Sequence, residues 1–192
     1  MDIFEAIETR RSIRRFKSAD VSQEVLEQIL KAATLAPSGK NKQPWKFYIV
    51  RGQKRTEMIF EMKKGIERLH KLGIRTDSAK FTQAVMKQAP VTIFVFNPFS
   101  KHPLLKRDTL ESYSDIVDIQ SVGAAIQNML LAAYALGLGS LWICDVFFAY
   151  EEFCAWLGET GELIAAVSLG YPDQAPPARP RKLVDEVTCY VE

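Results

Sequence analysis

Residues 118–136 read "DIQSVGAAIQNMLLAAYAL", and no other stretch of the sequence constrains the architecture as strongly. Apolar residues cover most of the circumference of the helix that this stretch would form, which is typical of a helix surrounded by protein. Small side chains would let a neighbouring helix approach closely. These small residues are Gly123, Ala124, Ala125, Ala132 and Ala133. We therefore predict a central helix that is also a candidate for the centre of a dimer.

Shorter elements flank this helix on both sides in the sequence. Ser22 can cap a helix whose apolar residues recur at three-and-four spacing as far as Ala33. A short helix is predicted over 151–158. The predicted strands, rich in apolar and β-favouring residues, are 45–50, 91–96, 140–144 and 163–171. This order of elements predicts an α+β, three-layer sandwich that forms a single domain over 1–192.

Three segments are less regular. Residues 53–87 have a helical pattern that is basic, polar and interrupted by two glycines. Residues 97–114 mix prolines with charged residues and are interpreted as a candidate lid. Residues 172–182 read "PDQAPPARPRK", which predicts an extended arm, and 183–192 have the composition of a strand.

The composition is that of an ordinary globular protein. The chain has 192 residues, and 25 Lys and Arg against 23 Asp and Glu leave a net charge of only +2. This balance argues against a protein built to bind nucleic acid or a membrane surface. Three separated cysteines and two histidines favour neither a disulfide framework nor a metal site, and Cys144 and Cys154 are expected to be buried. Because no signal peptide or membrane-spanning run is evident, a cytoplasmic protein is expected.

Residues 8–16 read "ETRRSIRRF" and crowd four arginines into six positions. The ordinary interpretation of such a cluster is a solvated helix end. Here, however, Ser12 adds a hydroxyl group, and Ile13 and Phe16 would anchor the segment to the core so that the arginines converge. Guanidinium groups bind phosphate through paired, charge-assisted hydrogen bonds. The segment is therefore a candidate phosphate site.

Two further segments bear on this site. In "PPARPRK" (176–182), Arg179 and Arg181 occupy alternate positions on a chain stiffened by prolines, so both can point the same way. In "LGLGS" (136–140), Gly137 can end the long helix and Gly139 can open a strand. Alternatively, this glycine backbone can lie against a flat aromatic ring, and the two roles are compatible. The third glycine of a dinucleotide fingerprint is absent.

Four motifs in series resemble the FMN-dependent nitroreductase family. They are "RRSIRRF" (10–16), "APSGKNKQPW" (36–45), "GAAIQNMLLAAYALGLGSLW" (123–142) and "PPARPRK" (176–182). The similarity covers nearly the whole chain and is weakest over 53–114. It implies a nitroreductase-like three-layer sandwich with a mixed, mostly antiparallel central sheet flanked by helices, in a domain-intertwined homodimer. It also implies that 53–114 is a variable lid or substrate region and 172–192 a C-terminal arm.

The resemblance implies roles for particular residues around FMN. Arg10 and Ser12 would hold the phosphate, with Arg11 in the same pocket, and Arg14 would reach the pyrimidine end of the flavin. Residues of the C-terminal arm would complete the phosphate cage. These are Arg179 and Arg181.

Other residues are implied to contact the ring or the second subunit. The loop residues Pro37, Ser38, Gly39 and Asn41 would reach the flavin of the partner subunit. Leu138, Gly139 and Ser140 would lie near the ring and its N5 atom. No side chain is predicted to act as a catalytic acid, base or nucleophile, and no metal is predicted.

The implied activity is hydride transfer from NAD(P)H through N5 of FMN to a nitroaromatic, quinone or similar acceptor in a two-step, ping-pong cycle. Alternatives within the same fold are flavin cleavage and dehalogenation. Another alternative is a flavin-binding protein without turnover. Nucleic-acid binding through the arginines is disfavoured by the near-neutral charge and by the interleaved apolar residues Ile13 and Phe16.

Overall fold

The computed structural model describes residues 2–192, and in that range it contains six α-helices, four strands and two short 3-10 turns. The helices are α1 (Ile3–Thr9), α2 (Gln23–Thr34), α3 (Lys54–Lys71), α4 (Asp77–Gln88), α5 (Thr109–Ala135) and α6 (Tyr150–Leu157). The strands are β1 (Lys46–Arg51), β2 (Val91–Asn97), β3 (Gly139–Ile143) and β4 (Glu162–Gly170). The 3-10 turns are Gly39–Asn41 and Asp145–Ala149.

The four strands form one sheet in the order β1-β2-β4-β3, and every neighbouring pair is antiparallel. One isolated parallel bridge joins Ser12 to Ser140 at the free edge of β3. The prediction of a mostly antiparallel central sheet is confirmed.

Strand β2 explains why helices cover both faces of the sheet. All seven of its residues are buried, and alternate side chains of a strand point to opposite faces. Phe94 and Phe96 pack with residues of α3, α4 and α6 on one face. Ile93 and Val95 pack with residues of α2 and α5 on the other. The result is the predicted three-layer sandwich, with α3 and α4 on the side of the sheet opposite to α5.

Helix α5 is longer than the sequence analysis predicted. It begins at Thr109 instead of Asp118, because Asp108 and Glu111 form a reciprocal capping box at its start. By length and composition alone, this helix could cross a membrane. The sequence analysis did not identify it as such a segment. In the structure one face of α5 packs on α2 and on the sheet as a core helix does.

The basic region 53–87, predicted as a helical pattern interrupted by two glycines, forms the two helices α3 and α4. Helix α3 ends before Gly73, whose φ of +76° suits a residue without a side chain. The other glycine of this region, Gly65, lies inside α3, where an added Cβ would stand 2.4 Å from the Cα of Ala149. Gly65 therefore allows α3 to pack closely on the turn that precedes α6.

A cluster of ionic and hydrogen-bonding contacts around Glu159 anchors the turn between α6 and β4. Glu159 accepts hydrogen bonds from the Tyr48 hydroxyl at 2.8 Å and from the backbone N–H groups of Thr160 and Gly161 at 2.8 and 2.9 Å. The ammonium group of Lys46 lies 2.7 Å from the same carboxylate. The Glu159 side chain is only 8% exposed, so this carboxylate joins β1 to the α6–β4 turn.

The strand predicted over 183–192 is wrong. The chain there is extended or turned but pairs with no strand of the described residues. Its apolar side chains, such as Val184 and Tyr190, are largely exposed. High β-propensity does not form a strand without an edge on which to pair.

Candidate functional site

The arginine segment 10–16 is fixed by backbone hydrogen bonds to β3 and to the residue that follows β4. The Ile13 N–H donates to the Ser140 carbonyl at 2.9 Å, and the Lys17 N–H donates to the Tyr171 carbonyl at 2.9 Å. Ile13 and Phe16 are buried. The segment therefore lies beside β3, the edge strand of the sheet, with its apolar residues in the core and its four arginines partly or fully exposed.

Gly139 is the residue that allows this close approach. A Cβ at Gly139 would stand 2.7 Å from Cγ1 of Ile13, closer than real carbon contacts occur. Leu138 and Ser140 are also buried, at 2% exposure each. Gly137 ends α5 with a φ of +78°, as the helix-terminating interpretation predicts. The structure therefore gives "LGLGS" the role of holding the arginine segment on the sheet. Leu138, Gly139 and Ser140 are not among the residues that line the two cavities described next.

A cavity of about 830 Å³, here called the arginine cavity, lies between the arginine segment and the proline-rich arm. The structure thus brings the two predicted basic segments together. The predicted site residues that line the cavity are Arg10, Arg11, Ser12, Arg14, Arg179 and Arg181. Among its lining residues Glu8 is the one carboxylate, so the cavity carries a large excess of positive charge.

Arg10 lies near two other positive charges in this cavity, those of Arg11 and Arg181. Its Nε is buried and has no hydrogen-bond partner among the described residues. Partial burial, followed by repulsion from Arg181 and Arg11, lowers the pKa of Arg10 from its usual value. A buried donor without an acceptor is costly, and an anion between Arg10 and Arg181 would relieve both the missing hydrogen bond and the repulsion.

Arg11 differs from its neighbours because its side chain is already engaged. It donates to the carbonyls of Glu8 at 2.7 Å and of Arg10 at 2.9 Å. These are carbonyl groups at the C-terminal end of α1, where cationic side chains are favourable. Arg11 therefore caps α1 at the rim of the arginine cavity.

A second cavity of about 450 Å³, here called the strand cavity, shares Arg14 and Arg179 with the first. Its remaining walls come from α4 and from the end of β3 with the residues that follow it. They are Ser78, Phe81, Thr82, Leu141, Trp142, Ile143, Cys144 and Asp145. Sequence reasoning missed this wall, although "WICD" (142–145) directly after the glycines was its signal.

A hydrogen bond joins the two walls of the strand cavity. The Thr82 hydroxyl donates to Oδ2 of Asp145 at 2.7 Å, which holds α4 against the end of β3. Cys144 lies on the same wall and is exposed, so its predicted burial is wrong. Partial desolvation and then the Asp145 charge raise the pKa of the Cys144 thiol, which keeps it protonated at neutral pH.

The predicted loop 37–41 lies apart from both cavities. Pro37, Ser38 and Gly39 line a separate surface cavity of about 310 Å³ with residues of α5, and no arginine contributes to it. Asn41 has a positive φ, as do Lys40 and Gln43. Within one subunit the structure therefore does not bring this loop to the arginines.

A buried ion pair fixes that loop on α5. The Lys42 ammonium group lies 2.5 Å from Asp118, whose side chain is only 3% exposed. Asn97 also donates to this carboxylate at 3.3 Å. Three non-glycine residues with positive φ are uncommon and strained, and the Lys42–Asp118 pair is a contact that holds them in place.

No group of three or more His, Cys, Asp or Glu side chains is arranged to hold a metal ion within residues 2–192.

Comparison with known proteins identifies relatives of this chain by sequence. The profile of the nitroreductase family matches residues 7–171. A Methanothermobacter thermautotrophicus protein, provisionally named an NADH dehydrogenase/NAD(P)H nitroreductase, is 37% identical over 142 residues, which are 74% of this chain and 60% of that protein. The match thus spans less than two thirds of that relative. An iodotyrosine deiodinase of Thermotoga neapolitana is 29% identical over 95% of both chains.

Solved structures share the fold over the full chain. A provisionally named nitroreductase from Desulfovibrio desulfuricans, solved in complex with FMN, has a TM-score of 0.76 and 29% identity over 100% of this chain and 98% of that one. A BluB-like flavoprotein from Clostridium difficile 630 has a TM-score of 0.80 and 29% identity, and each chain is covered completely.

Proposed function

Because the chain belongs to the nitroreductase family, we propose that it is an FMN-dependent oxidoreductase. It takes electrons from NADH or NADPH and passes them to a small oxidised acceptor, such as a nitroaromatic or a quinone, in two successive half-reactions. One observation carries this proposal: the arginine cavity gathers guanidinium groups from residues 10–14 and 179–181 with Arg10 Nε left without an acceptor.

The residues present fit FMN. Its phosphate matches the arginine cavity, where Arg10, Arg181 and the Ser12 hydroxyl offer hydrogen-bond donors. The positive charges there repel one another, and a bound phosphate would neutralise them. Its ring system matches the adjoining strand cavity, whose volume of about 450 Å³ lies within the range of ligand pockets. Arg14 and Arg179 line both cavities, so one elongated molecule can occupy them together.

FMN, when bound, supplies the exchange of one or two electrons that amino-acid side chains do not provide. The residues of this chain bind the cofactor, orient it and set the local charge. Arg14 lies where the two cavities meet, and its positive charge would favour the reduced, anionic form of the ring. No side-chain nucleophile is needed in this mechanism, which agrees with the protonated state of the Cys144 thiol.

The acceptor is proposed to enter at the wall formed by α4. Phe81 and Trp142 are 59% and 38% exposed and both line the strand cavity. Flat, partly exposed aromatic side chains stack well on a planar substrate. The Thr82–Asp145 hydrogen bond keeps these two walls at a fixed separation.

A homodimer is part of the proposal, and exposed apolar surface supports it. Helices α1 and α5 carry apolar side chains that are 42–78% exposed. Apolar surface exposed to this extent is typical of a protein–protein interface. They include Ile3, Phe4, Ile7, Leu110, Tyr113, Ile116, Val117 and Ile119. Loop 37–41 lies on the same α5 surface, so a second subunit docked there would receive Pro37, Ser38, Gly39 and Asn41. These residues are proposed to complete the partner's cofactor site.

Reductive dehalogenation is a second candidate, and a specific comparison favours it. The iodotyrosine deiodinase of Thermotoga neapolitana matches 95% of this chain. For this chain the corresponding substrate would be a halogenated phenol seated against Phe81 and Trp142. Release of iodide from 3-iodotyrosine under anaerobic reduction, compared with reduction of a nitroaromatic, would distinguish the two activities.

The test begins with the absorbance spectrum of the protein reconstituted with FMN, followed by anaerobic addition of NADH and then NADPH. Bleaching of the flavin bands by either nucleotide, and recolouring by an acceptor, is the expected result. Bound flavin that neither nucleotide bleaches would instead favour a flavin-binding protein without turnover.

Matched arginine variants test the site itself. Arg10→Ala and Arg181→Ala each remove a charge-assisted contact worth about 1.5–3 kcal/mol, so the Kd for FMN should rise roughly ten- to hundredfold. Arg15→Ala is the control, because Arg15 lies in the same segment but lines neither cavity. The assignment would be contradicted if all three variants lost FMN affinity equally, or if none of them lost it.

A further inference from the structure

The charges of this chain are unevenly distributed between its layers. Residues 53–88 carry nine Lys and Arg against four Asp and Glu, a net charge of +5, which leaves −3 for the rest of a chain whose total is +2. This segment forms α3 and α4, which cover one face of the sheet. Helix α6 covers the same face and adds Glu151 and Glu152, the second of which pairs with Arg68 at 2.8 Å. The excess of positive charge on this face is therefore carried by α3 and α4, and the proposed function does not use it.

A groove of about 530 Å³ runs between α3 and α4. Lys63, Lys71 and Lys80 line it together with His70, and Glu67 is the one carboxylate among its lining residues. Lys63 pairs loosely with Glu67 at 3.6 Å. Lys71 and Lys80 have no carboxylate within 4.0 Å in the described part of the chain, residues 2–192.

Apolar side chains are exposed at the end of the groove and beside it. Leu72 and Ile74, in the turn between α3 and α4, are 68% and 45% exposed. Phe60 on α3 is 60% exposed. Apolar and aromatic residues within a charged, solvated rim are typical of a protein interface.

The groove lies directly behind a wall of the strand cavity. Helix α4 presents Ser78, Phe81 and Thr82 to that cavity and Lys80 and Gln83 to the groove. An α-helix with its side chains is only about 10–12 Å across. The groove is also on the opposite side of the sheet from α5, so a dimer formed through α5 would leave it open.

We propose that this α3–α4 surface docks a small acidic protein that carries single electrons, and that this protein exchanges them with the bound cofactor. The inference rests on the proposed function and names an additional electron donor for it. In the donating direction, two successive encounters deliver two electrons, each donor molecule is oxidised by one electron, and protons come from solvent. Opposite charge on the two surfaces speeds and orients such encounters.

Other polyanions fit this surface less well. Glu57, Glu61 and Glu67 interrupt the basic residues along α3, which would repel a continuous line of phosphates. The rest of the chain is net negative and adds to this repulsion for a nucleic acid. A compact acidic protein, by contrast, needs only a local patch and a small interface.

The experiment uses a small acidic [2Fe–2S] ferredoxin as the probe, with binding measured by titration calorimetry at low and high salt. The test variant is K63E/K71E/K80E, and the control K17E/K31E/K106E makes the same change in net charge at exposed lysines outside the groove. Wild type and control should bind in a salt-sensitive manner, and the groove variant should bind roughly tenfold or more weakly.

Reduced ferredoxin should reduce the FMN of wild type and control rapidly under anaerobic conditions, and the FMN of the groove variant more slowly. The rate of NADH or NADPH oxidation should be the same in all three proteins. Absence of ferredoxin binding to wild type, or equal weakening in the control, would overturn the inference. Groove-dependent binding to anionic phosphatidylserine vesicles but not to ferredoxin would overturn it as well. Failure of the proposed function is seen separately, as absence of FMN binding or nucleotide oxidation.

Discussion

Glu159 offers a quantitative test of how the fold is held together. Burial opposes ionisation of this carboxylate, but hydrogen bonds from Lys46, from Tyr48 and from the backbone of Gly161 and Thr160 outweigh burial and lower its pKa to about 2. The perturbation is Glu159→Gln, which keeps the shape of the side chain and removes the charge. It should destabilise the protein at neutral pH.

The size of the effect follows from this pKa. A decrease from the ordinary value of 4.5 to about 2 corresponds to a limit of about 3 kcal/mol. The Lys46 side chain is 52% exposed, so solvent screening reduces the contribution to about 1–2 kcal/mol. For a domain of this length, that is a decrease in Tm of roughly 2–8 °C.

The pH dependence has a defined sign. The folded-state pKa is depressed, so the stabilisation is fully present above the unfolded-state value near 4.5 and is lost as pH falls toward about 2. Thermal unfolding of wild type and Glu159→Gln at fixed FMN concentration should therefore differ at pH 7 and converge between pH 4.5 and 2. Glu67→Gln, at a largely exposed carboxylate, is the control and should change Tm little. Equal Tm values at pH 7, or a difference independent of pH, would refute the reasoning.

Three other variants test separate parts of the structure. Arg14→Ala should lower the midpoint potential of bound FMN by ~20–40 mV, about 1–2 kcal/mol for a two-electron couple; spectroelectrochemistry measures it, and an unchanged potential would remove Arg14 from that role. Gly139→Ala should cost about 1–3 kcal/mol in urea unfolding, because its Cβ would stand 2.7 Å from Ile13; full stability would contradict the close packing. Val117→Asp should convert the proposed homodimer to monomer in size-exclusion chromatography with light scattering, since Val117 is 43% exposed on α5; a persistent dimer would place the interface elsewhere.

Local signals in the sequence were sufficient for much of the fold. The helix-capping role of Ser22 is confirmed, since its hydroxyl accepts from the Val25 N–H at 3.3 Å. Gly137 and Gly139 mark the end of α5 and the start of β3 as predicted. These features depend on residues close in sequence, and such interactions leave a readable pattern.

The start of α5 and the C-terminal segment were predicted wrongly for different reasons. The capping box at Asp108 and Glu111 was present in the sequence, but the prolines before it suggested a lid. The segment 183–192 has strand-like residues, yet strand formation depends on a free sheet edge that local composition does not reveal.

The candidate site was only partly predictable. Convergence of the two basic segments was anticipated from charge and rigidity, and the structure brings them to one cavity. The wall formed by Phe81, Thr82 and Asp145 was missed. Thr82 and Asp145 are 63 positions apart in the sequence, and they meet only because α4 packs on the turn after β3. The contribution of loop 37–41 to a partner's site stays a prediction.

The arginine cavity has a consequence for biosynthesis. Its two halves, Arg14 and Arg179, are separated by 165 positions along the chain. Strand β4 ends at Gly170, only nine residues before Arg179, so the complete sheet and the second half of the cavity leave the ribosome almost together. A nascent chain therefore cannot close on an anion until Arg179 and Arg181 have left the ribosome. Retention of the cofactor would then report that translation has passed these residues, and a chain terminated before them would fold without a closed cavity.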